Sequence, residues 1–213
     1  MHLSYPLIRT AFSDLELSLR DRCEQVFRSE DNHYSFHTPG SIVLLVTGFD
    51  SLLNELIAHY GQGLKRIADQ SFDTKYYAIP KRFTGKKLTR NGDLSLLGDV
   101  RDEIVHHLPR PINEPDAVPS WFQPLQQRGL FITHPNLFGS DFSLGWKIGS
   151  YRLCYWAWET ILAATTELLK ALDKARPVVD MTVCTMEQFR KVCPPEKLGT
   201  FDKEHRLKLT EWK

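Results

Sequence analysis

The chain has almost no excess of either charge: 27 Lys plus Arg stand against 26 Asp plus Glu in 213 residues. That balance excludes a global field able to grip a polyanion, so any nucleic-acid contact has to be made by a local groove or patch. Cysteine is sparse. Cys23, Cys154, Cys184 and Cys193 are widely spaced and form no Cys-x-x-Cys pair. This argues for structural thiols in a reduced, cytoplasmic protein. No charged, apolar, cleavable leader opens the sequence. Its best apolar run, Ile42 to Val46, is soon interrupted by Gly48, Asp50, Asn54 and Glu55, so no membrane-spanning segment is expected. Internal repeats and low-complexity tracts are also missing.

What is present is helical periodicity. A first helix is expected over about Thr10 to Ser29, where Phe12, Leu15, Leu19, Cys23, Val26 and Phe27 recur at three- and four-residue steps. The second is the strongest. Thr38 can cap it, Pro39 suits its first position, and Ile42, Leu45, Val46, Phe49, Leu52, Leu53, Leu56, Ile57 and Tyr60 form a wide apolar stripe. From Gly61 to Asn91 the pattern weakens and a loop or irregular hairpin is expected. A third helix starts near Gly92 or Asp93 and has to stop around His107, because Pro109 and Pro111 cannot continue it. A fourth, the longest, is expected over Ile148 to Ala175, with Tyr151, Cys154, Tyr155, Trp158, Ile161, Leu162, Leu168, Leu169 and Leu172 along one side.

Between the third and fourth helices, Pro109 to Gly145 holds six prolines and no sustained period. A stretch that long inside a compact domain is expected to be an ordered functional excursion. Trp121, Phe122, Phe131, Leu137 and Phe138 argue against disorder in it. Past Pro177, Val178 to Cys184 can form a short strand, and Thr185 with Gln188 can open a brief helix ending at Pro194 and Pro195. The tail from Glu196 is polar and expected to fray. The fold class is therefore all-α: a helical bundle over residues 1–175, with an ordered Pro-rich insertion at 109–145, and a small irregular C-terminal extension at 176–213.

Chemistry concentrates in Arg101-Asp102-Glu103-Ile104-Val105-His106, in the last turns of the third helix. At about 100° per residue, Asp102 and His106 lie roughly 160° from the core residue Ile104, whereas Arg101 and His107 lie about 60° from it on opposite flanks. Asp102 and His106 thus share a face away from the core. At that i,i+4 spacing the carboxylate can orient the imidazole, leaving one ring nitrogen for proton transfer. Arg101 and His106 are about 140° apart, so one helix cannot easily converge both on a single atom. A second copy of the helix can complete the site. The plainer alternative is that these are surface charges and a histidine favoured by the helix C-terminus.

An Arg-x4-His pattern with a small polar residue directly after the arginine, late in a helix of an all-α chain, resembles the HEPN domain. The apolar second helix and the aromatic fourth helix extend the likeness over about Thr10 to Ala175. The resemblance implies a four- to five-helix up-and-down bundle. It also implies a homodimer in which two motifs face each other across a shared cleft. Many HEPN proteins are endoribonucleases that need no metal or other cofactor and act in toxin–antitoxin and phage-defence systems; others are catalytically silent modules that bind RNA, nucleotide or a protein partner. By this resemblance Arg101 and His106 are the catalytic pair, with RNA as substrate and an antitoxin or other protein as a partner. The residue types suit that chemistry. A neutral imidazole can take the proton of a 2′-hydroxyl, and a guanidinium can stabilise charge on the phosphate under attack. Since the family accepts four to six intervening residues, His107 qualifies beside His106, at least as a supporting group.

Further candidates are weaker. Lys81, Arg82, Lys86, Lys87 and Arg90, interleaved with Tyr76, Tyr77 and Phe83, can bind RNA phosphates and stack bases, as can Arg110 through its charge. A solvated loop is the commoner explanation. Gly85-Lys86 lacks the upstream glycine and following Ser or Thr of a phosphate-binding loop. His33 and His37 have metal-ligand spacing on a helix but no matching partners, so no metal site is expected.

Overall fold

The computed structural model describes residues 4–20, 28–29, 32–60, 63–85, 88, 92–106, 119–132, 147–173, 200–201 and 207–208. Six helices carry the described part: α1 (Ser4–Arg20), α2 (His37–Tyr60), α3 (Phe72–Thr84), α4 (Gly92–Val105), α5 (Phe122–Gln127) and α6 (Tyr151–Asp173). Two short antiparallel pairs accompany them, β1 (Arg28–Ser29) with β2 (Asn32–His33), and β3 (Thr200–Phe201) with β4 (Leu207–Lys208). The chain is mostly helical, as the apolar periodicity requires.

The α2 stripe forms the centre of the core. Ile42, Leu45, Val46, Phe49, Leu52, Leu53, Leu56 and Ile57 are all buried, and α1, α3, α4 and α6 all pack on this helix. By length and hydropathy His37–Ala58 would suffice to cross a bilayer. Its apolar side is taken up by the bundle core. Gly48 lets α1 approach closely, since a Cβ there would stand 2.7 Å from Ile8 Cγ1 and 3.1 Å from the Ile8 nitrogen. The helix begins at His37, two positions before the Pro39 start that a Thr38 cap implies. Ser35 Oγ accepts from the His37 N–H at 3.2 Å, whereas Thr38 is buried inside the first turn.

Helix α1 differs from expectation at both ends. It begins at Ser4 because Glu55 of α2 receives the Ser4 N–H at 3.0 Å and the Ser4 hydroxyl at 2.7 Å, placing a carboxylate on the positive end of the helix. It is described as far as Arg20, and Arg28–Ser29 pair with Asn32–His33 as strands where the periodicity predicts helix. A cap supplied by another helix leaves no local signal.

The largest correction lies in the segment expected to be a loop. Lys65–Ile67 form a 3-10 turn, and Phe72–Thr84 form α3. The buried residues Phe72, Lys75, Tyr76, Ile79 and Pro80 are in fact helically spaced. Lys75 and Pro80 disguise the stripe. Lys75 is buried but satisfied, with Nζ 2.8 Å from Asp50 Oδ1 on α2, and Tyr76 donates its hydroxyl to Glu167 Oε2 on α6 at 2.7 Å. Burial, reinforced by Glu167, pushes the Tyr76 phenol far above its ordinary range. Gly85, at φ 69°, ends the helix by donating its N–H to the Lys81 carbonyl at 3.0 Å.

Helices α4 and α6 fall close to their predicted ranges. In the Pro-rich excursion, residues 119–132 carry α5, and Trp121, Phe122 and Phe131 are buried; the Phe122 and Phe131 rings stack at 4.8 Å. Leu137 and Phe138 lie outside the described residues, as do the strand expected at 178–184 and the helix expected from Thr185. Part of the polar tail forms the β3–β4 pair. Tyr151 and Trp158 of α6 are core, with Trp158 edge-on to Phe12 at 5.2 Å, and Cys154 is a buried thiol that burial pushes up to about 12.

A polar clasp holds the start of α6. Asn32 Oδ1 accepts from the Arg152 N–H at 3.1 Å and from the His33 N–H at 3.0 Å, while its Nδ2 donates to the Leu130 carbonyl at 3.2 Å. Tyr34 bridges to Ser150, the Ser35 N–H reaches the Gly149 carbonyl at 2.9 Å, and Ser150 Oγ accepts from the Ile132 N–H at 2.9 Å. Gly149 is obligatory here because a Cβ would fall inside the Tyr34 ring. Replacing Asn32 with Ala strands two buried N–H groups and one carbonyl. Urea unfolding of Asn32→Ala is expected to show a loss of about 2–3 kcal/mol, well beyond that of a surface substitution.

Candidate functional site

The apolar side of α4, Leu94, Leu97 and Val100, is fully buried and fixes the helix rotation. The polar residues Asp99, Asp102, Glu103 and His106 then fall on one outward face at i, i+3, i+4 and i+7. They form one wall of an open cleft of about 550 Å³. Pro119, Ser120 and Trp121, entering α5, form the other wall. This volume lies within the usual range for a small-molecule or nucleotide-sized site.

Within this face the side chains have separate roles. His106 is exposed, and its backbone N–H closes the last α4 turn on the Asp102 carbonyl at 2.8 Å. Among the described residues no side-chain hydrogen bond joins Asp102 to His106. The Asp102 carboxylate instead meets Arg101 Nη1 at 3.1 Å, with the Arg101 side chain 33% and the Asp102 side chain 59% exposed. Arg101 stands on the adjoining flank and is not part of the cleft lining. Its Nε is buried and has no acceptor among the described residues. One copy of α4 thus keeps Arg101 and His106 apart.

Asp99 is a cleft residue outside the Arg101-to-His106 stretch, and Glu103, inside it, has no role in the Arg-to-His pattern. Their signal was present in the sequence as the polar i, i+3, i+4, i+7 stripe, which a motif read in linear order passes over. The wall from Pro119 to Trp121 had no such signal, because it reaches α4 through tertiary packing. Partial burial, then Asp102, then Asp73 at the start of α3, raise the Asp99 carboxyl from its ordinary aspartate value.

The remaining candidates lie elsewhere. Lys81 and Arg82 are exposed in the last turn of α3 and do not line the cleft. Lys86, Lys87, Arg90, His107 and Arg110 lie outside the described residues. His33 and His37 do not share a helix: His33 is buried in β2, its Nε2 2.6 Å from the Ser18 carbonyl and its ring stacked on Tyr151 at 4.9 Å, whereas His37 is exposed at the start of α2. Among the described residues no group of three His, Cys, Asp or Glu side chains has metal-holding geometry.

The raised Asp99 has a stability consequence with a definite sign. An acid whose folded pKa exceeds its unfolded one binds protons more tightly when folded, so its charged form opposes folding at pH above both values and has no effect below both. Asp99→Asn is therefore expected to raise the melting temperature at about pH 7, with the gain vanishing below about pH 4. Equal shifts at both pH values would contradict it. The chain matches no protein-family model, no curated protein and no solved structure.

Proposed function

We propose that the bundle is a HEPN-type domain acting as a metal-independent endoribonuclease whose site is completed when two copies bring the ends of their α4 helices together. The observation that carries this reading is the exposed His106 on an open cleft, with Arg101 five residues earlier on the adjoining flank. In the paired arrangement His106 takes the proton from an RNA 2′-hydroxyl. Arg101 of the other copy stabilises the phosphate as the 2′-oxygen attacks it, the P–O5′ bond breaks to leave a 2′,3′-cyclic phosphate, and the departing 5′-oxygen takes a proton from water or from the imidazolium that the first step formed. Asp102, placed against Arg101, limits the guanidinium's freedom rather than that of the imidazole. A toxin–antitoxin or phage-defence setting follows from the same resemblance, with an antitoxin as the protein partner.

A second reading is favoured by one specific feature. Three carboxylates line the cleft, and a local negative field discourages RNA phosphate. A non-catalytic HEPN-like module that docks a basic protein segment would use that field directly. The two readings separate in one experiment. Wild type is expected to cut a mixed RNA pool in EDTA, while Arg101→Ala and His106→Ala each lose at least about 100-fold in rate. Mixing the two variants restores part of the activity if the site is composite, because one of its two halves can then be intact. Cleavage unchanged in His106→Ala, or active wild type that light scattering finds strictly monomeric, would overturn the composite-site reading. RNA-free wild type that binds a Lys-rich peptide and cuts nothing would favour the second.

A further inference from the structure

Positive charge gathers at a place other than the α4 cleft. Lys65 and Arg66 belong to the 3-10 turn after α2, Lys81 and Arg82 belong to the last turn of α3, and all four residues are exposed. Tertiary packing joins the two pairs. The Arg82 guanidinium lies across Gly63, so closely that a Cβ there would stand 3.1 Å from its Nε and 3.6 Å from its Cζ. Gly63 stands two residues before Lys65, so the cations of a turn and of a helix end share one ledge. Among the described residues none of the four has an ion-pair partner. The acids of the same segment do not cancel them. Asp73 stands at the opposite end of α3, about 12 Å from Lys81 along the helix axis. It accepts from the Thr74 N–H at 2.8 Å and from the Ser71 hydroxyl. Asp69 alone is an exposed carboxylate between the turn and the helix. The helix dipole favours Lys81 and Arg82 at a C-terminus, but it accounts neither for Lys65 and Arg66 nor for the reach of Arg82 to another element.

A phosphate chain finds no such grip in the overall charge or in the cleft. The net charge is close to zero, and three carboxylates line the cleft. The other exposed Lys and Arg among the described residues, Arg9, Arg128 and Lys170, are spread over α1, the end of α5 and α6, and Arg128 is paired with Asp93. Tyr77, one turn before Lys81 on the same face of α3, is half-buried and sets an aromatic side chain beside the cations. A lipid surface calls for an apolar side chain to insert. The exposed large hydrophobics among the described residues, Leu17, Phe36 and Val105, all lie outside this segment.

Resting on the endoribonuclease reading for the identity of its ligand, we propose that the ledge of Lys65, Arg66, Lys81 and Arg82 is a binding surface for single-stranded RNA, holding the phosphate backbone outside the acidic cleft. Contacts of this kind go to phosphates and carry no base information. The ledge therefore sets how tightly a strand is held, and the cleft sets what happens to it.

The test titrates a fluorescent 2′-O-methyl oligouridine, which cannot supply the attacking hydroxyl, by anisotropy between about 50 and 200 mM salt. Wild type is expected to bind with a slope of log affinity against log salt of about −2 to −3, the value for three or four phosphate contacts on a single strand. Lys65→Glu with Arg66→Glu, and separately Lys81→Glu with Arg82→Glu, are each expected to weaken binding at least about tenfold at the low-salt end and to flatten the slope by about one or more. The same reversal at Arg9 and Lys170 is expected to change affinity by less than about threefold. Circular dichroism checks that each variant is folded. Loss in only one of the two ledge pairs would overturn the joined surface, and equal loss on reversing Arg9 and Lys170 would assign the effect to overall charge. Tighter capture by phosphatidylserine vesicles or by poly-glutamate than by oligouridine would overturn RNA as the ligand. Cleavage of unmodified RNA keeps the two ideas separate. The ledge variants are expected to raise KM with little change in kcat, whereas His106→Ala loses kcat. His106-dependent cleavage with neither binding nor KM altered in the ledge variants removes the ledge and leaves the endoribonuclease; binding that both pairs abolish, in a wild type that cuts nothing, keeps the ledge and removes the catalytic reading.

Discussion

One buried side chain ties together three parts of this chain that are far apart in sequence. Asn32 accepts the N–H of Arg152 in the first turn of α6, spans 98 positions to the Leu130 carbonyl, and is 4% exposed. A helix start has four N–H groups without intrahelical partners, and here one of them is satisfied by a residue 120 positions away. The result is that α6, the longest partner of α2 after the central helix itself, is set at a defined depth and rotation. The same clasp anchors Leu130 and Ile132, and with them the end of the segment that carries Trp121. Lys147 adds to it by donating to the Ile132 carbonyl at 2.7 Å, although burial lowers its amine's affinity for a proton. The wall of the cleft opposite His106 is therefore tied to a polar contact made by residues outside the cleft lining.

The site itself follows from how α4 divides its surface. Leu94, Leu97 and Val100 are consumed by the core, so the rotation of the helix leaves Asp99, Asp102, Glu103 and His106 together on the outside. Arg128 of the α5 end pairs with Asp93 at 2.7 Å and holds the excursion against the start of the same helix. Those two restraints bring an uncharged, aromatic wall against a charged one. A cleft so lined favours whatever carries positive charge. That tension between a histidine suited to proton transfer and carboxylates that repel phosphate is the dominant physical property of the site.

The parts of the fold legible in the sequence were those in which a residue's neighbours along the helix decide its burial. The Ile42 to Ile57 stripe, the Leu94 to Val100 face and the Tyr151 to Leu172 series are apolar at helical spacing and form the core, with Tyr155 and Leu162 half-buried at its edge. Helix α3 was not legible because two members of its buried stripe, Lys75 and Pro80, are residue types that ordinarily mark exposure or a break. Lys75 becomes tolerable in the interior only when Asp50, 25 residues earlier, lies 2.8 Å from its ammonium. The early start of α1 was hidden for the same reason, since Glu55 supplies the cap from another helix. At the site, the outward direction of Asp102 and His106 could be computed from helix geometry alone. The choice of Arg101 over His106 as the partner of Asp102 could not, because rotamers and exposure decide it.

The sequence by itself determined where chemistry could reside: a fixed rise and rotation per residue place His106 and its carboxylate neighbours on one face of α4, whatever the rest of the chain does. It also determined which side of that helix would be buried, because water expels the leucines and the valine together. Only the tertiary structure decided what the face confronts. The approach of Trp121 and the influence of Asp73 on Asp99 are contacts between separate elements, and no local period encodes them. The arginine-to-histidine stretch is thus one edge of an acidic cleft, and the electrostatics of that cleft depend on residues the motif does not contain.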